Sequence, residues 1–112
     1  MWVKAAVILA LTGGPAIANP TFEPQTVPAH AYSGGWEHYV GGGLAVFDCD
    51  DDGRLDLMAA GGTSPPALWR NISDSGGEVR FEALTAPDLS ATTGIYPIDI
   101  DNDRTVDLVV MR

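Results

Sequence analysis

Two ten-residue stretches of the chain, "DCDDDGRLDL" at 48–57 and "DIDNDRTVDL" at 99–108, place aspartates at the same relative positions 51 residues apart. Each follows a short apolar run ("GLAVFD" at 43–48, "GIYPID" at 94–99), and each opens another ("LDLMAA" from 55, "VDLVVM" from 106). A fixed period of about 50 residues, with units too small to bury both faces alone, restricts the chain to a stacked repeat such as a propeller or an array. Such assemblies typically need three or more units. The 112 residues hold one unit and the start of another, so the sequence reads as the N-terminal piece of a longer protein.

The runs between the acidic stretches are short and bounded by Gly, Pro, Asn or Ser. Strands are expected at 43–48, from Leu55, at 67–71 ("ALWRN") and at 79–84 ("VRFEAL"), together one antiparallel sheet. A second set starts at 94–99 and resumes from 106. No window of 12 or more residues beyond the first twenty carries the helical period, so the fold class is all-β. Residues 19–40, rich in Pro and Gly, suit a lead-in loop or a leading strand around Val27 but no helix. The units are then 41–93 for the first repeat and 94–112 for the truncated second.

The first twenty residues, "MWVKAAVILALTGGPAIANP", combine a basic start ending at Lys4, an apolar stretch from Ala5 to Leu11 and the small-residue pattern Ala16-Ile17-Ala18. This is the layout of a secretory signal peptide, 1–18, cleaved after Ala18. Gly13, Gly14 and Pro15 break the apolar run well short of the length that spans a bilayer, so no membrane span is expected in the mature chain. The expected location is secreted, extracellular or periplasmic. A single cysteine, Cys49, excludes an internal disulfide and is expected to be a small buried apolar residue.

Acids outnumber bases 15 to 6, which argues against nucleic acid or an anionic membrane surface as partner. Nine of the 15 lie in the two stretches, so the charge marks sites. In Asp48-x-Asp50-x-Asp52-Gly53-x-x-Asp56 the carboxylates at loop positions 1, 3, 5 and 9 can converge on one hard cation. The backbone carbonyl of Arg54, at position 7, supplies a further oxygen. Without a cation these acids repel one another at close range. Gly53 permits a left-handed turn at position 6. In the second loop Asp99, Asp101, Asp103 and Asp107 hold the same positions, with the carbonyl of Thr105 at position 7, but Arg104 stands in place of the glycine. A side chain there costs roughly 1 kcal/mol, so weaker binding is expected. Neither loop is an EF-hand, because position 12 is Ala59 or Val110 where a bidentate Glu is required, and strands flank both.

Strand, D-x-D-x-D-G-x-x-D-L, strand, repeated, resembles the FG-GAP/VCBS repeats of integrin-α-type β-propellers. The lead-in "GGWEHYVGGGLAVFDCDDDGRLDLMAAGG" with "ALWRN" is similar, more narrowly, to bacterial relatives of cartilage acidic protein. The repeat resemblance covers 41–112, and the narrower one adds 32–40. It implies β-propeller blades, often seven in the family, with a Ca2+ ion between the first two strands of each blade. It also implies a secreted binding or adhesion module without catalytic residues here, with an extracellular protein or glycan as partner. The alternative is the non-catalytic N-terminal part of an extracellular enzyme such as a polysaccharide lyase or phospholipase.

Other candidates carry less. His30 and His38 lack metal-ligand or nucleophile partners at useful spacing and are expected at the surface or in packing between blades. Trp36, Tyr39 and Trp69 are likewise expected to pack between blades. Asn71-Ile72-Ser73 fits a glycosylation sequon, relevant only in a eukaryotic secretory route.

Overall fold

A computed structural model describes residues 19–112; the segment 1–18, expected from the sequence to be a signal peptide, lies outside the described residues. Strands β1 (Leu44–Phe47), β2 (Asp56–Ala59), β3 (Ala67–Asn71) and β4 (Phe81–Leu84) form one antiparallel sheet in chain order. Strands β5 (Gly94–Ile98) and β6 (Asp107–Met111) form an antiparallel hairpin. The described chain is thus all β, in the four-stranded arrangement of a propeller blade followed by the first two strands of the next. The repeat holds at the level of register. Phe47 pairs with Asp56 and Ile98 with Asp107, while Leu44 pairs with Ala59 and Ile95 with Val110.

Alternation along β1 turns Ala45 and Phe47 inward and leaves Leu44 and Val46 exposed, as a half-buried strand requires. Ala45, Phe47, Met58 and Ala60 meet Ile95 of β5, with Leu68, Leu89, Leu108 and Tyr32 packed around them. The core therefore lies between the first sheet and the hairpin, so neither repeat buries its apolar face alone. Met58, 1% exposed, represents burial worth about 1.5–3 kcal/mol for such a side chain.

Two glycines make the joint possible. At Gly43 a Cβ would come within 3.0 Å of Gly94 Cα, and the adjoining backbone is tied across by Gly42 N–H and Gly43 N–H donating to Thr93 O at 3.1 and 3.3 Å. Gly62, at φ 63°, bridges Ser33 on one side and Thr92 on the other; a Cβ there would strike Ser33 O. The lead-in is fixed through this residue to the end of β2 and to the segment that leads into β5.

The leading strand around Val27 does not form, and Val27 is half exposed. Pro20, Pro24 and Pro28 remove the N–H groups a ladder would use. A one-turn 3-10 helix, Trp36–His38, occupies a segment expected to hold no helix. His38 faces inward at 9% exposure, and Tyr32 Oη donates to its carbonyl at 2.8 Å. Trp36 and Tyr39 consequently project outward from the first sheet, stacked on each other and exposed among the described residues. Trp69 is buried, edge-on to His30, whose Nε2 lies 2.8 Å from Ala60 O. Among the described residues no helix is long and apolar enough to cross a membrane.

Candidate metal centre

Both acidic stretches are the connections of β-hairpins, β1 to β2 and β5 to β6, and their backbones follow the same path. Position 4 is left-handed in both (Asp51 φ 59°, Asn102 φ 63°), and so is position 6 (Gly53 φ 82°, Arg104 φ 74°). Four hydrogen bonds recur in both loops, while Asp50 N–H to Asp48 Oδ1 is found in the first loop alone and Asp103 N–H to Asp101 Oδ1 in the second alone. Asp48 Oδ1 accepts from Asp52 N–H at 3.2 Å and Oδ2 from Gly53 N–H at 2.7 Å; Asp99 accepts from Asp103 and Arg104 at 3.1 and 2.9 Å. Arg54 N–H donates to Asp52 at 2.8 Å, and Thr105 N–H to Asp103 at 2.7 Å. Asp56 Oδ2 accepts from Cys49 N–H at 2.8 Å, and Asp107 Oδ2 from Ile100 N–H at 3.0 Å. Arg104 thus accepts the strained conformation that Gly53 takes freely.

The carboxylates converge in two triads, Asp48, Asp50 and Asp52 in the first loop and Asp99, Asp101 and Asp107 in the second. In each, one oxygen per residue lies within 4.8 Å of the others. Two oxygens bound to one calcium at about 2.4 Å can be no further apart than about 4.8 Å, so these donor sets fit a hard divalent cation. Acidic clusters of this kind could hold a metal ion.

The fourth carboxylate differs between the loops. Asp56 stands outside its triad, fully buried, with Oδ1 accepting Asn71 N–H from β3 at 2.7 Å besides the Cys49 bond. Burial opposes its charge, but the Cys49 thiol, the N–H groups of Asn71 and Cys49, and the Arg70 guanidinium together hold its pKa below the ordinary aspartate value. Asp107 accepts only the Ile100 bond among the described contacts and joins its triad, whereas Asp103 stays outside. The β3 backbone thus holds Asp56 from the side of the loop that faces the sheet.

Two arginines reach into the first loop. Arg54, itself at position 7, forms an ion pair with Asp52 and donates from Nε to Asn71 O at 2.9 Å. Arg70, from β3, places Nε 2.7 Å from Asp50 Oδ2 and one terminal nitrogen 3.9 Å from Asp52 Oδ2. Sequence reasoning passed over Arg70, and no local spacing could have found it. It reaches the loop only through the β2/β3 register, Leu57 opposite Trp69.

Cys49 is exposed, not buried as expected, since β1 ends at Phe47 and the alternation ends with it. Local desolvation of its thiol, the hydrogen bond and charge of Asp56, and the charge of Asp50 push its pKa up to about 11. It lines a cavity of about 440 Å³ between the two loops, together with Asp48, Asp50, Arg104 and Thr105. Asn71 of the sequon is engaged at both ends of its amide, Nδ2 donating to Leu55 O at 3.1 Å and Oδ1 accepting from Ser73 N–H at 3.0 Å.

A four-stranded antiparallel sheet with an aspartate-rich loop between its first two strands, repeated at matching register, defines a propeller-blade type of β-repeat. The chain belongs to the FG-GAP-like repeat family, whose pattern matches residues 48–110. It is also similar to cartilage acidic protein 1 of Mus musculus and of Homo sapiens, 28% identical to each over 74 residues. That match takes in 63% of this chain and 11% of either relative, so the chain spans about a ninth of their length. No solved structure matches it.

Proposed function

We propose that the chain is a secreted calcium-binding β-propeller repeat, in which the ion fixes each hairpin loop and the blades serve as a binding or adhesion module toward extracellular protein or glycan. The observation that carries this reading is the convergence of three carboxylates in each loop, on backbones that share the same left-handed positions and four recurring hydrogen bonds. The proposed ligands are Asp48, Asp50, Asp52 and Asp56 with the Arg54 carbonyl, and Asp99, Asp101, Asp103 and Asp107 with the Thr105 carbonyl. Asp56 has spare lone pairs on both oxygens, so the backbone bonds it accepts do not prevent it from also facing an ion. Calcium suits the site because it tolerates irregular oxygen cages and because weak sites fill outside the cell. The first and second repeats would divide at 93/94.

Isothermal titration with calcium tests the reading on the chain and on an Asp50→Ala/Asp52→Ala variant. The wild type should give heat for both loops, and the variant should lose the contribution of the first. Equal heats in the two proteins would refute the assignment of the first loop.

A further inference from the structure

The first loop is already partly neutralised by the protein itself. Arg70 projects from β3, a different strand from those that carry the loop, and sets its guanidinium against both Asp50 and Asp52. Its Nε, although 2.7 Å from Asp50 Oδ2, is buried and makes no hydrogen bond, because its N–H is not directed at that oxygen. A charged donor in that state is poorly satisfied and favours release or realignment when a better cation is offered. The Asp50 and Asp52 side chains are 30% and 18% exposed, so water screens the contact only in part.

We propose that Arg70 is an internal counter-ion of the first loop, a positioning residue that holds Asp50 and Asp52 together in the metal-free protein and is displaced when a divalent cation binds. The inference rests on the calcium reading above. It makes two effects move in opposite directions. Arg70 stabilises the metal-free loop by relieving repulsion among its acids, and it weakens metal binding by competing for the same oxygens. A residue with a purely packing role would lower stability in both states equally and leave affinity alone.

The test compares the wild-type chain with Arg70→Met, which keeps much of the aliphatic stem, and Arg70→Lys, which keeps a positive charge. Each is titrated with calcium in an Asp101→Ala background that removes the second loop, and each is melted in chelator and in saturating calcium. Arg70→Met should bind calcium about five-fold more tightly, a gain of the size that one partly exposed ion pair supports. It should also melt lower than wild type in chelator, with the deficit closing in calcium. Arg70→Lys should stay within about two-fold of wild type in affinity. Unchanged or weaker affinity in Arg70→Met, with wild type still binding, would overturn the inference and leave the calcium reading intact. An equal loss of melting temperature in chelator and in calcium would overturn it as well. Absence of calcium heat in the wild type and both variants would overturn the calcium reading, and this inference with it.

Discussion

Replacing Arg104 by glycine separates backbone strain from charge in the second loop. Arg104 holds φ 74° in a loop whose hydrogen bonds are already formed, so its strain is present before any ion arrives. Relief of that strain should therefore raise stability in the metal-free and the metal-bound state alike, and should leave affinity untouched. A non-glycine residue in the left-handed region costs about 1–2 kcal/mol, and the added freedom of glycine in the unfolded chain takes back about 0.4–1 kcal/mol. The net gain is roughly 0.5–1 kcal/mol, an increase of about 2–8 °C in melting temperature for a domain of this size. Affinity should change only through loss of a positive charge beside the loop's acids. That predicts binding about two- to three-fold tighter at low salt, with the difference fading as ionic strength rises. Circular dichroism melts in chelator and in calcium, paired with calcium titrations at two salt concentrations, read both quantities. A variant that melts no higher than wild type in chelator would refute the strain argument. A large affinity gain that persists at high salt would show that the loop reorganises on binding.

Asp56→Asn should cost about 2–4 kcal/mol in denaturant melts in chelator, because a buried amide cannot accept from both the Cys49 and the Asn71 N–H groups. Asp107→Asn in this chain should cost under about 1 kcal/mol, since one acceptor oxygen satisfies the described Ile100 bond; a cost of about 2 kcal/mol or more would refute that. Cys49, though exposed, should alkylate slowly at pH 8, about a hundred-fold below an ordinary surface thiol, given its pKa of about 11. The check is the rate with iodoacetamide in chelator, and a rate like that of a free thiol would refute the combined effect of local desolvation, Asp56 and Asp50.

The local parts of this protein were legible in its sequence because they are decided within about ten residues. Apolar alternation and turn residues located the starts of all six strands to within two positions, and β3 at 67–71 without error. The D-x-D-x-D spacing placed both loops, and the requirement for a left-handed residue at position 6 is met at Gly53 and, at a cost, at Arg104. What the tertiary structure decided depends on neighbours far along the chain. Pairing of β3 with β2 brings Asn71 N–H onto Asp56 and Arg70 onto Asp50, contacts that the spacing within the loop does not encode. Packing of Tyr32 and His38 inward leaves Trp36 and Tyr39 outside, although all four residue types are suited to burial. A repeat fixes the conformation of each turn, because that conformation follows from backbone angles and the nearest side chains. The charge balance inside the turn depends on which distant strand lies alongside it, and sequence spacing holds no record of that distance.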